Sequence, residues 1–317
     1  MKAAVIDTLG AAPRVIDYPD PSPATGDLVL VKVEASALNA VDVHIASGHH
    51  RAGAPRLPYV PAVEAVGTIA AGPDQGLRVR AAVPAGLVPG VNGGLAELLL
   101  TSRATCIPVP EELDSVAAAA IGVVGTSADL SLRKAGIQAG DSVLVLGATG
   151  PLGTAVIQLA RLAGATRVIA AGRNSGRLAQ LSLAADGVAL LGEEPLPEQL
   201  ASLGGPVDLV VDPVWGPWAA AALACLKPGG RYLNVGAAGG DGTAFQVEWL
   251  RAAQLTLIGF SATRAEPADV IASYRHVAAL AAAGSLKLPT AAYKLDEATQ
   301  AWEAQASSPG QKIVVIP

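Results

Sequence analysis

Gly147, Gly150 and Gly153 stand in the run Val143-Leu144-Val145-Leu146-Gly147-Ala148-Thr149-Gly150-Pro151-Leu152-Gly153, and their spacing implies phosphate chemistry. The first glycine lets the chain turn straight off an apolar strand. The second lets backbone approach a pyrophosphate, and the third lets the following helix pack close to the sheet. Pro151 suits the first position of that helix, where a missing N–H costs nothing, and the free amides around it, from Thr149 to Leu152, leave a positive field for an anion. The pattern is G-x-x-G-x-x-G rather than G-x-G-x-x-G, and a tight strand-to-helix turn with no ligand would use the same glycines.

About twenty residues past the last glycine the chain reads Ala170-Ala171-Gly172-Arg173-Asn174-Ser175-Gly176-Arg177. A site selecting NAD places Asp or Glu there for the ribose 2′-hydroxyl. Arg173 can instead fork onto a 2′-phosphate, with Ser175 and Arg177 as further donors, so NADPH rather than NADH is the expected cofactor. For both arginines the alternative is a solvated surface side chain. Asp208 to Val214 and Asn234 to Gly240 end two further strands, where Asp212, Asn234, Val235 and Gly236 would meet ribose or carboxamide groups. Asp212 and Asn234 are equally turn formers that bond their own backbone, and for Asp212 that is the favoured reading.

These residues need strands and helices to place them. Past about Ala117 the texture alternates: strands are expected at 143–147, 167–172, 188–191, 207–212, 230–236 and 255–259, and helices at 151–163, 175–184, 196–203, 216–226, 244–252 and 267–283. Short apolar strands joined by helix-length connections make a doubly wound parallel sheet covered on both faces. Before that point the chain is strand-like, at 28–35, 63–72 and 78–86, with a long aperiodic loop over 47–61. The segment from about Leu286 to Pro317 returns to strand character and is expected to pack back on the first domain. The fold class is thus α/β, with a β-rich domain of residues 1–118 and 285–317 and a Rossmann-type domain of residues 119–284.

Composition narrows the function. The chain has 317 residues, 51% apolar and 15% charged, enough for two ordinary cores and unlike a disordered chain. The net charge of −5 and the lack of any Lys/Arg run argue against nucleic acid as a partner. Cys106 and Cys225 cannot supply a four-thiolate zinc site or a secreted disulfide framework, which fits a reducing, cytoplasmic setting. No signal-peptide pattern opens the chain, and the uncharged stretch Ser142 to Ala160 is broken by Gly147, Gly150, Pro151 and Gly153, so no membrane partner is expected.

The whole arrangement resembles the medium-chain dehydrogenase/reductase superfamily and, within it, the zinc-independent quinone oxidoreductase branch. The resemblance rests on Ala37-Leu38-Asn39-Ala40-Val41-Asp42-Val43-His44-Ile45, on Leu57 to Gly67, on Gly93-Gly94-Leu95-Ala96-Glu97, on the Gly147 to Gly153 turn and on Gly229-Gly230-Arg231 leading to Gly236. It implies a GroES-like catalytic domain built from both chain ends, a nucleotide-binding middle domain and a homodimer made by the nucleotide domains. Thr126, in Gly125-Thr126-Ser127-Ala128, joins the expected cofactor set.

Zinc-dependent members place a cysteine where this chain has Asn39 and a histidine where it has Val63, while Glu64 is retained. One carboxylate is not a zinc site, so no metal is expected. Quinone oxidoreductase relatives carry asparagine at the position of Asn39 and commonly tyrosine at that of His44, and often an aromatic residue at that of Asp129. Asn39 and His44 are the expected catalytic pair, donating to a developing oxyanion and supplying a proton as hydride reaches a quinone or an α,β-unsaturated carbonyl. The alternatives are a turn-capping Asn39 and an interface histidine. At the level of the whole protein they are a pathway-specific enoyl, ketone or cyclising reductase, or an NADPH-binding protein without turnover.

Overall fold

The computed structural model describes residues 1–22, 25–181, 184–192, 194–308 and 310–317. The chain opens with an antiparallel pair, β1 (Lys2–Val5) and β2 (Arg14–Asp17). In β3 (Leu28–Ala37) Val29, Val31 and Val33 are buried and alternate with less buried neighbours, as the two-residue repeat of a strand requires. Then follow α1 (Ala40–Ala46), β4 (Glu64–Ala71), β5 (Arg78–Ala82), β6 (Leu98–Ser102), β7 (Cys106–Pro108), α2 (Ser115–Ala120) and α3 (Gly122–Lys134).

The middle of the chain alternates as its sequence suggests: β8 (Ser142–Val145), α4 (Pro151–Leu162), β9 (Arg167–Gly172), α5 (Ser175–Gln180), β10 (Gly187–Leu190), α6 (Leu196–Ser202), β11 (Val207–Asp212), α7 (Ala219–Leu223), β12 (Leu226–Asn234), α8 (Val247–Ala252), β13 (Thr256–Gly259) and α9 (Pro267–Ala282). The six strands pair in parallel in the order β10-β9-β8-β11-β12-β13. The expected doubly wound sheet is therefore present, and its winding reverses between β8 and β11. All four residues of β8 are buried, as befits a central parallel strand covered on both faces.

The chain ends with β14 (Thr290–Lys294), α10 (Ala298–Ala306) and β15 (Lys312–Ile316). β15 pairs in parallel with β14 and antiparallel with β3, opposite Ser36 and Ala37, in a sheet ordered β14-β15-β3-β4-β5-β7 with β6 also on β3. The chain divides into two compact units, Met1–Val124 with Tyr274–Pro317, and Gly125–Ser273. In the first unit Ile313 and Val315 share a core with Leu38, Ile45, Tyr59 and Trp302. No helix among the described residues is long and apolar enough to cross a membrane.

Two expected helices differ. The one expected over 216–226 is shortened to α7 behind a 3-10 turn at Gly216–Trp218, because Trp215 and Gly216 both adopt positive φ (54° and 63°) and Pro217 follows. The one expected over 175–184 is α5, ending at Gln180; its Ser182 and Leu183 lie outside the described residues.

Candidate functional site

In the second unit, the turn after β8 gives each glycine a separate geometry. Gly147 has φ 58°, and a Cβ there would lie 2.9 Å from Val214 Cγ2. A Cβ at Gly153 would lie 2.4 Å from the Gly147 carbonyl oxygen, so close packing of α4 against its own turn requires that glycine. Gly150 differs. It is the N-cap of α4, with Pro151 in the first turn, and an added Cβ would approach only the Gly147 oxygen, at 3.3 Å. Gly150 therefore faces open space beside the amides that begin a twelve-residue helix, a cradle of the kind that takes an anion.

The end of β9 adjoins this cradle. Ala148 N–H donates to Ala171 O at 3.0 Å, and a Cβ on Gly172 would sit 3.5 Å from Thr149 Cγ2. Arg173 follows at once, exposed and with no hydrogen bond or ion pair among the described residues. Asn174 starts α5 by accepting the Arg177 N–H at 2.9 Å, which leaves Ser175 exposed at its first position.

The other two strand ends contribute differently. Asp212 is fully buried; its Oδ1 accepts the N–H groups of Val214 (2.6 Å) and Trp215 (2.8 Å), and its Oδ2 accepts the Tyr232 hydroxyl at 2.5 Å. Burial pushes its carboxyl up, against the lowering effect of these bonds. The Asp212 carboxylate thus builds the turn by accepting from its own backbone. Asn234 Nδ2 likewise donates inward, to Gly236 O (2.7 Å) and Asp212 O (3.3 Å). Val235 N–H donates to Asp212 O, and Gly239 N–H to Val214 O, so the two strand ends interlock through backbone. In α3, Thr126 Oγ1 is buried with no hydrogen-bond partner among the described residues. Asp129 accepts the Ser273 hydroxyl at 2.6 Å and pairs with Arg133, so it ties α3 to α9.

In the first unit, Asn39, Asp42, Glu64, Arg80 and Lys312 form a buried polar node. Asp42 Oδ2 accepts the Asn39 N–H (2.7 Å) at the start of α1, and its Oδ1 accepts the Val63 N–H (2.9 Å). Burial pushes the Asp42 carboxyl up to about 7 despite both bonds. Glu64 Oε2 pairs with Arg80 (2.9 Å) and accepts the Val123 N–H (2.8 Å), while its Oε1 accepts Asn39 Nδ2 at 3.0 Å. The second Asn39 amide hydrogen goes to Ala37 O at 3.2 Å, and Asn39 Oδ1 accepts from the Lys312 ammonium.

Both Asn39 donors are therefore engaged inside the protein. The residue type promises a free amide, whereas the neighbours that claim its hydrogens come from β3 and β4. His44, one turn along α1, is exposed, and its ring meets that of His50 edge-on with centroids 5.5 Å apart. Burial and the nearby His44 and Arg51 lower the His50 pKa. Sequence reasoning does not find this node, although a lone lysine in the apolar run Lys312-Ile313-Val314-Val315 is its visible signal.

A catalytic zinc does not fit this node. Glu64 is its only carboxylate at a position corresponding to a zinc ligand, both its oxygens hold protein donors, Asn39 and Val63 supply no thiolate or imidazole, and an ammonium adjoins Asn39. Among the described residues no three His, Cys, Asp or Glu side chains converge as metal ligands.

Residues 25–111 match the alcohol dehydrogenase GroES-like domain model, and residues 151–280 match the zinc-binding dehydrogenase model. Quinone oxidoreductase of Homo sapiens is 32% identical over 214 residues, 67% of this chain and 65% of that protein, so the match spans just under two thirds of the relative. The 2-methylene-furan-3-one reductase of Solanum lycopersicum is 32% identical over 197 residues, 59% of this chain and 50% of the relative. The quinone oxidoreductase of Thermus thermophilus, solved also as its complex with NADPH, superposes over all of both chains with TM-score 0.82 and 31% identity. Since each unit carries its own family match and a relative of this identity runs the full length, the chain belongs to the medium-chain dehydrogenase/reductase superfamily, in its quinone oxidoreductase-like branch.

Proposed function

We propose that this protein is an NADPH-dependent oxidoreductase that reduces a quinone or an α,β-unsaturated carbonyl without zinc, with residues 119–284 binding the cofactor and residues 1–118 and 285–317 forming the catalytic domain. The observation that carries the reading is Arg173, exposed and without a partner among the described residues, beside the open cradle at Gly150. The relatives named quinone oxidoreductase and 2-methylene-furan-3-one reductase support the acceptor class.

Bound NADPH supplies hydride from its nicotinamide, and the acceptor completes a two-electron reduction by taking one proton. The residues of the chain bind and orient. Amides at the start of α4 take the diphosphate, with Gly147, Thr149, Gly150, Pro151, Leu152 and Gly153 shaping the cradle. Arg173, Ser175 and Arg177 take the 2′-phosphate. The Thr126 hydroxyl, lacking a partner among the described residues, and the backbone of Asn234, Val235 and Gly236 serve the nicotinamide end. His44 passes a proton to the acceptor oxygen. Asn39 acts as a positioning residue.

The test is NADPH oxidation followed by its absorbance across quinones, enones, simple ketones and imines. Turnover confined to the conjugated acceptors and kept in the presence of chelator is the expected result. Cofactor binding with no turnover on any of them would instead leave a binding protein.

A further inference from the structure

Lys312 is 1% exposed, yet its ammonium donates to two neutral oxygens, Leu38 O at 2.8 Å and Asn39 Oδ1, and makes no salt bridge among the described residues. Burying an ammonium without a directly paired carboxylate is costly, so its geometry must matter to the structure around it. Both acceptors belong to the junction between β3 and α1. The next residue of β15 adds to the grip, because Ile313 O accepts the Leu38 N–H at 3.0 Å. One strand therefore holds Leu38 by its N–H and its carbonyl, and Asn39 by its side chain.

The Asn39 amide is fixed from both ends. Its Nδ2 meets the Glu64 carboxylate and its Oδ1 meets the ammonium. Turned over, the amide would set its oxygen against a carboxylate and its hydrogens against a cation, which both neighbours oppose. Asp42 on α1 and Glu64 on β4 attract the ammonium, and Arg80 on β5 repels it.

We propose that Lys312 is a positioning residue for the substrate end of the reaction: by locking Asn39 against Glu64 and holding the Leu38–Asn39 junction, it sets the start of α1 and the placement of His44 on it. The kinetic consequence rests on the function proposed above. The structural half does not, and it can be measured without turnover.

The full-length variants Lys312→Met, Lys312→Gln and Lys312→Arg are compared with the wild type by hydrogen–deuterium exchange, and by kinetics with NADPH and 1,4-benzoquinone or methyl vinyl ketone. In Lys312→Met, amides of residues 40–46 should exchange at least tenfold faster while those of β8 are unchanged. Its kcat should fall tenfold or more with the Kd for NADPH within twofold. Lys312→Arg, which keeps the charge, should restore both to within threefold. Should the methionine variant fail to fold, Lys312→Gln, which keeps a donor but loses the charge, is expected to show the same faster exchange. Wild-type exchange over 40–46 in the neutral variants overturns the proposal. Faster exchange with unchanged kcat also overturns it, since Lys312 would then serve stability alone. No turnover by the wild type on either acceptor would count against the proposed function, and the exchange data would still decide whether Lys312 positions α1.

Discussion

Arg173 and Asn39 show what a side chain's identity does and does not determine. Arg173 sits where a strand end meets a helix start, and its guanidinium is exposed without a partner among the described residues, so its type already states its chemistry. Arg173→Ala should weaken NADPH by about 1.5 kcal/mol, toward the low end for a charge-assisted contact because the site is exposed, and leave NADH nearly unchanged. Isothermal titration with both cofactors checks this, and equal losses would sink the selectivity. Gly150→Val should fold, since its Cβ meets only one backbone oxygen at 3.3 Å, while obstructing both cofactors. Normal affinity for both would contradict the cradle. His44→Phe should lower kcat and kcat/KM together on a conjugated acceptor at unchanged NADPH affinity, as expected for a donor used in the transition state. Asn39 is the contrary case, for its hydrogens are claimed by Ala37 and Glu64.

At the scale of elements, α1 is the piece that sequence patterns do not reveal. Seven residues are too few to display a helical repeat, and what holds them is Asp42, which joins the α1 start to Val63 by one buried and one partly buried hydrogen bond. Folding raises the Asp42 pKa from 3.8 to about 7, so between those values the folded state keeps a proton that the unfolded chain has released. The stability contributed by this group is therefore complete below pH 3.8 and declines as pH rises toward 7, by at most about 1.4 kcal/mol per pH unit. Thermal unfolding of the wild type and Asp42→Asn across that window should show the difference in Tm shrinking as pH rises. A constant difference would mean that Asp42 is ionised throughout. The elements that are legible, β9 over 167–172 and β11 over 207–212, are central strands built on apolar runs at 168–171 and 209–211.

For the whole molecule, the edge strand β13 pairs only with β12 among the described residues and presents Leu257 at 42% exposure, with Val247 and Trp249 of α8 exposed as well. An open edge with apolar side chains invites a second strand, and a two-fold axis would let β13 of one copy pair with β13 of another. We propose a homodimer formed by this edge. Sedimentation should give twice the 31.6 kDa of one chain, and Leu257→Lys should shift it toward the monomer. A monomeric wild type at micromolar concentration would exclude the dimer.

The sequence by itself determined the doubly wound sheet, the glycine turn and the arginine beyond β9, because each follows from short-range rules: apolar runs make strands, missing Cβ atoms permit turns, and a cation follows a strand end. Only the tertiary structure decided which polar groups are already satisfied. Asp212 is closed off by Tyr232, 20 residues later in the chain, and Asn39 by Glu64 and by Lys312, 273 residues away. Hydrogen-bond satisfaction depends on neighbours in space, and β15 reaches Asn39 only because the chain's last strand pairs with β3.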